Sequence, residues 1–378
     1  MPVFHQMGND TQNLIGDVPG YAGAIVSPVN SDSADVAKHV VKYQSETFRF
    51  IFDPQLYCPK SSRGQLRTWN YFPKELDTAD LSSDSWWDGV SDELLKCVTG
   101  LNITSMCSPA VVPSTYTDDY YALVTRTASR LAAVAHESKV RVLQTVLVPL
   151  AELSDDRQAM QVASIVSATK AVGLYLVFVS EVEPRREYAD ADALRGAMRL
   201  INTLRNSGVE VHVGFTGPEM VLWKAAGATS CATGKFFNLR RFTRGRFEEE
   251  QSGGGLVAYW FEERLMASLR ESDLARLRPL GFLDQTIATN QYGKAIVDLL
   301  QQKPGTPWVG LAWRQYMSWF SDVEARITSG SANVRDMLKL AEENWLQLEE
   351  KDLLMEEPRN DGKFLRAWRR ALAEHTRA

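Results

Sequence analysis

Apolar residues in this chain gather into short runs, each followed by a polar or proline-containing turn and then by a stretch of helical periodicity. The first run is Ala22 to Val29, and Ser33 to Tyr43 follows with Val36, Val40 and Tyr43 on one helical face. The second, Phe48 to Phe52, stops at Asp53-Pro54, and a polar insertion leads to a helix around Trp87 to Val98. The third, Ile103 to Cys107, ends in Ser108-Pro109 and precedes a helix from Asp118 to Glu137, capped by Thr117 or Ser114. The fourth is Val140 to Val148. Its helix opens after Ser154 with Asp155 and Asp156 in the first turn, where the helix dipole favours acids.

The fifth run, Leu174 to Val179, leads to a helix over Asp190 to Asn206 that stops at Ser207-Gly208. The sixth, Val209 to Phe215, precedes a short helix reaching Ala226, and the seventh is Ala228 to Ala232. The eighth, Leu256 to Trp260, follows a turn at Gly253-Gly254-Gly255 and enters a helix from Glu262 to Leu277.

Eight buried runs joined by seven crossovers predict an α/β fold: a (β/α)8 TIM-like barrel over residues 1–280. A doubly wound open sheet is the rival, but no glycine-rich dinucleotide fingerprint follows the first run. After Gly281 the strand-like runs cease. Helical patterns occupy Asn290 to Gln302, Pro307 to Arg326, Asn333 to Glu350 and Gly362 to His375, punctuated by Pro304-Gly305, Ser329-Gly330-Ser331 and Glu357-Pro358. Residues 281–378 therefore form a helical C-terminal extension. Its tryptophans, Trp308, Trp313, Trp319, Trp345 and Trp368, either cap the barrel or bind a protein partner.

Composition narrows the function classes. A chain of 378 residues with a net charge of −5 does not coat nucleic acid by bulk charge, although a local basic site remains open. The four cysteines are scattered without a CxxC pair, which predicts free thiols in a reducing compartment and no metal site. The N-terminus lacks a basic segment followed by an apolar run, and no stretch is long and apolar enough to span a bilayer. A cytoplasmic protein without membrane contact is expected.

Barrels of this kind bind ligands at the carboxyl ends of their strands. That rule selects Asn30, Asp53 with Gln55 and Tyr57, Ser108, Gln144, Glu181 with Glu183, Thr216, Lys235 with the arginines beyond it, and Glu262. The segment from Lys235 to Arg246 is the most distinctive, because it sets Lys235, Arg240, Arg241, Arg244 and Arg246 among Phe236, Phe237, Asn238 and Phe242. Guanidinium forks suit phosphate oxygens and aromatic rings can stack on bases. The opposing reading is an amphipathic segment neutralised by Glu248, Glu249 and Glu250.

Asp53 is a candidate acid, base or nucleophile, or else the anchor of an Asx turn ahead of Pro54. Glu181 would give a second carboxylate across the mouth, as glycosidic chemistry requires, with Gln55 and Tyr57 orienting the substrate. His212 lies within a strand and reads as a core histidine. The stretch Val211 to Thr233 resembles the sixth and seventh units of barrels such as the guanine transglycosylases, which exchange bases in RNA or DNA; the zinc-binding CxCxxC pattern of that family is absent here.

These residues lead to an expected enzyme, needing no cofactor, that acts on a phosphorylated small molecule or a nucleic acid by glycosidic cleavage or base exchange. The other class is a non-catalytic scaffold subunit that docks a protein through the arginine segment and the tryptophan-rich helices.

Overall fold

In a computed structural model, which describes residues 3–248, 256–357 and 360–377, eight parallel strands close into a barrel in chain order. They are β1 (Val3–Gln6), β2 (Tyr21–Val26), β3 (Arg49–Phe52), β4 (Ser105–Cys107), β5 (Arg141–Pro149), β6 (Gly173–Val179), β7 (Glu210–Val213) and β8 (Ser230–Thr233). Closure runs through β1 against β8, with Phe4 opposite Ala232 and His5 opposite Thr233.

The expected count of eight is met by a different set of strands. The run expected first is β2, and the barrel begins one strand earlier with Val3–Gln6. The run expected eighth is not in the barrel. Trp260–Glu262 (β9) instead pairs antiparallel with Ala267–Leu269 (β10) in a separate two-stranded ribbon. The expected glycine-triplet turn and Pro358 lie outside the described residues.

The first six helices are α1 (Ser33–Tyr43), α2 (Asp84–Gly100), α3 (Asp118–Ala135), α4 (Asp156–Val166), α5 (Ala191–Asn206) and α6 (Met220–Ala225). The starts of α1 to α5 are set by side-chain caps that satisfy otherwise orphaned N–H groups, whereas α6 has none. Asp32 accepts from Asp35 N, Thr117 from Tyr120 N, Asp155 from Arg157 N, and Asp190 from Asp192 N and Ala193 N. A short 3-10 turn, Thr11–Leu14, takes the place of a helix between β1 and β2.

After β8 the chain makes α7 (Gly245–Glu248), and beyond the ribbon come α8 (Glu271–Leu277), α9 (Asp284–Thr289), α10 (Gly293–Gln302), α11 (Val309–Thr328), α12 (Val334–Glu349) and α13 (Phe364–His375). Of the two alternatives expected for the tryptophans, capping is the one these contacts describe, because four of the side chains are committed inside the protein. The indoles of Trp308 and Trp319 donate to Glu271 and Glu263, and those of Trp345 and Trp368 to the carbonyls of Leu265 and Tyr188. All four are buried, and one continuous apolar core joins them to barrel residues such as Val213, Trp223 and Cys231. Among the described residues no helix is long and apolar enough to cross a membrane.

Candidate active site

Parallel strands direct alternate side chains into the barrel. Near its carboxyl end this brings Gln6 of β1 against Tyr175 of β6, whose hydroxyl donates to Gln6 Oε1 at 3.0 Å. Room for that ring depends on Gly214, since a Cβ there would lie 2.4 Å from the phenol. Ser27 after β2 and Asp53 after β3 extend the same polar layer.

Asp53 is fully buried. Its carboxylate accepts from the Tyr57 hydroxyl at 2.9 Å and from the backbone N–H of Gln55 at 3.0 Å. The second bond is the Asx-turn contact that the Asp53-Pro54 sequence foretells, so this carboxyl both shapes the turn and faces the barrel interior. Burial pushes its pKa up to about 7, and the Gln55 N–H, the Tyr57 hydroxyl and the Arg246 guanidinium only partly oppose the rise. Gln55 holds a left-handed backbone, φ 51°, which a non-glycine residue adopts only when its surroundings enforce it. Its side-chain oxygen accepts from Val29 N at 3.0 Å and from the Ser27 hydroxyl at 3.2 Å, and these bonds supply that enforcement.

The arginine segment folds over this layer. Arg246, on α7, donates to Asn30 Oδ1 at 2.7 Å and to Asn238 Oδ1 at 3.3 Å. Burial lowers its pKa to about 10, with Arg63 adding to the effect. Phe242 and Phe247 stack with ring centroids 5.5 Å apart, and each meets Tyr57 at 5.0 Å, edge to face. Phe215 joins them at 5.5 Å from Phe242. These rings seal the mouth above Asp53. Beneath them Gln6 Nε2, Gln55 Nε2 and Arg246 Nε are buried donors with no partner among the described residues. The enclosed layer thus offers one carboxyl that titrates near neutrality and three unspent N–H donors.

The other cations go elsewhere. Arg240 lies 3.3 Å from the Tyr316 ring centroid and donates to the carbonyls of Gly234 and Lys235. Arg241 lies over Tyr188 and donates to the carbonyls of Glu183 and Arg186. Lys235 sits 4.3 Å from the Trp313 ring, and burial draws its pKa down to about 8. Arg244 is exposed and pairs with Glu248 at 2.6 Å, as the neutralised reading expects; Glu249 and Glu250 lie outside the described residues. Of the five cations expected to clamp a phosphate, only Arg246 reaches the Asp53 layer.

Glu181 is not brought to Asp53. Strand β6 ends at Val179, the Ser180 hydroxyl accepts from Val182 N, and the turn so made leaves Glu181 and Glu183 exposed. Glu262, expected at a strand end of the barrel, belongs to the ribbon, where it accepts from Trp260, Arg264 N and Thr286. Gln144 donates to Thr125 of α3, and Ser108 and Thr145 bond each other across β4 and β5. His212, the expected core histidine, is buried 2.7 Å from Ser230.

Two carboxylates that sequence reasoning missed lie above the mouth. Glu219 follows β7, the strand opposite β3, and accepts from Gly217 N at 3.0 Å. Glu187 stands 4.0 Å from Arg241. Burial raises the pKa of both; Glu219 raises that of Glu187 further, and Arg241 opposes the rise in each. The Gly217-Pro218-Glu219 turn at a strand end was a signal for the first, whereas nothing distinguished Glu187 within its charged stretch. Among the described residues no group of three His, Cys, Asp or Glu side chains could hold a metal ion.

No family model and no curated protein matches the chain. Among solved structures it is similar to a monomeric dihydrodipicolinate synthase variant, with 10% identity, 86% of this chain and 97% of that one covered, and a TM-score of 0.39. It is similar to an L-ribulose 3-epimerase at 10% identity, covering 87% and 97%, with a TM-score of 0.39. A third likeness is to the BexX/CysO complex of Amycolatopsis orientalis, at 14% identity over 62% of this chain and 79% of that one, with a TM-score of 0.35.

Proposed function

We propose that the barrel is an enzyme whose general acid/base is Asp53, acting on a nucleotide whose phosphate meets Arg246 and whose glycosidic bond lies over the Asp53–Tyr57 pair. The observation that carries this reading is the buried Asp53 carboxyl, titrating at about 7 beside Tyr57 at the carboxyl end of β3. A neutral carboxyl can deliver a proton to a leaving base, and Tyr57 steadies the carboxylate that remains. Gln6 Nε2 and Gln55 Nε2 supply donors for the oxygens of a sugar or base. Glu219, on the opposite side of the mouth, replaces Glu181 as the second carboxylate: it takes a proton from a water whose oxygen bonds to the anomeric carbon as the base leaves with the proton of Asp53. Admission of substrate requires the segment around Phe242 and Phe247 to lift.

The test is release of free base from a panel of nucleosides and nucleoside phosphates, followed by chromatography. The wild-type protein is expected to release base from at least one phosphorylated member, and Asp53→Asn to lose at least about 100-fold in rate. Equal rates in the two proteins would discard the assignment. A second reading, a barrel without chemistry that serves as a scaffold, draws on the aromatic seal over the mouth. It predicts no turnover from any panel member by either protein.

A further inference from the structure

A cavity of about 700 Å³, with none of the Asp53 layer in its lining, lies between α12 and α13, and five arginines line it: Arg335, Arg366, Arg369, Arg370 and Arg377. Among the described residues Glu342 is the single carboxylate in that lining, and it pairs with Arg369. Arg370 is held by Glu374 at 2.9 Å and by Asp192 of α5 at 3.2 Å. Arg335, Arg366 and Arg377 have no carboxylate partner among the described residues, and Arg335 has only the Thr376 hydroxyl, at 3.2 Å. All three are exposed. A chain with a net charge of −5 thus concentrates unneutralised guanidinium groups along one cleft.

We propose that this cleft binds the phosphate backbone of a nucleic-acid duplex, at a site separate from the barrel mouth. Guanidinium forks match phosphate oxygens two at a time. From Arg366 to Arg377 the chain advances roughly 16 Å at about 1.5 Å per helical residue, a length over which one strand presents about five phosphates. Among the described residues no aromatic side chain lines the cleft, so bases have no stacking platform there, and the duplex, with its denser charge, fits better than a single strand. An acidic peptide is the poorer occupant, because a peptide interface draws its affinity from buried apolar or aromatic anchors and the lining offers only Leu372 and Ala373. This inference does not depend on the nucleotide chemistry proposed for the mouth.

The experiment measures fluorescence anisotropy of a labelled 20-base-pair DNA duplex on the full chain from 50 to 200 mM salt. Binding is expected to weaken steeply with salt. Arg366→Gln with Arg377→Gln is expected to lower affinity at least tenfold at the lower salt and to reduce the slope of log K on log salt by about 2. Both side chains are exposed, and unchanged thermal unfolding of the double variant confirms that its fold survives. Failure of the wild-type protein to bind at 50 mM salt overturns the proposal without any variant. Loss of binding in Arg246→Gln with none in the double variant also overturns it, by putting the duplex at the mouth. Tighter binding of polyglutamate than of the duplex overturns it in favour of an acidic protein.

Discussion

Asp53 keeps its proton in the folded protein up to about pH 7, whereas the unfolded chain releases it near 3.8. Between those values the folded state holds the extra proton, so stability falls as pH rises from about 4 to about 7 and then levels off. The penalty at pH 8 is on the order of 2–4 kcal/mol. Asp53→Asn removes the charge and leaves an oxygen that can accept from Gln55 N. The variant is therefore expected to be more stable than wild type at pH 8, by up to that amount, and equal to it near pH 4. Urea denaturation at the two pH values checks this. A gain in stability from a residue whose loss abolishes activity is the signature of a site held against its own folding preference. A buried Asp53 that served only the Asx turn would give the same gain in stability without the loss of activity.

At the scale of elements, the arginine segment shows what the sequence revealed and what it hid. Its place after a barrel strand was legible, because Ser230–Thr233 overlaps the seventh apolar run, Ala228 to Ala232, and ends one residue beyond it. The fate of each cation was not, since that depends on partners far away in the chain. Arg240 finds Tyr316 of α11, and Arg241 finds Tyr188 and the turn after β6. The numbering of the barrel strands is displaced by one for a related reason. Val3–Gln6 carries His5 and Gln6 and looks weakly apolar, yet both side chains are fully buried once β2 and β8 flank it. Of the run Leu256 to Trp260 only Trp260 enters a strand, and the partner of that strand is the adjacent Ala267–Leu269. Because Arg240 joins the β8 loop to α11, Arg240→Ala is expected to cost about 3 kcal/mol, from the lost ring contact and two carbonyls left without their donor. Arg240→Lys restores little of it, since a point charge cannot bridge both carbonyls. Chemical denaturation of the two variants measures the difference, and parity of Lys with Arg would reduce the contact to simple charge.

The whole molecule sets the limit on dividing the chain at residue 280. Tyr21, at the start of β2, donates to the carbonyl of Met317, and the Thr233 and Tyr316 hydroxyls meet at 3.2 Å. Lys224 of α6 and Glu324 of α11 form a pair 2.8 Å apart that is almost wholly buried, so removing either side strands a charge in the interior. Trp368 of α13 reaches the carbonyl of Tyr188 ahead of α5. Residues 1–280 alone would expose all of these faces at once, together with the apolar surface around Trp223 that α11, α12 and α13 cover. The fragment is therefore expected to lose fixed tertiary packing while retaining secondary structure, seen as lost near-ultraviolet circular dichroism, retained far-ultraviolet signal and rapid proteolysis. A fragment that unfolded cooperatively near the melting temperature of the full chain would make the helical region an independent module. With a core continuous across that boundary, the helices are instead expected to complete the outer layer of the barrel, and the arginine cleft on α12 and α13 to be fixed in position relative to the mouth.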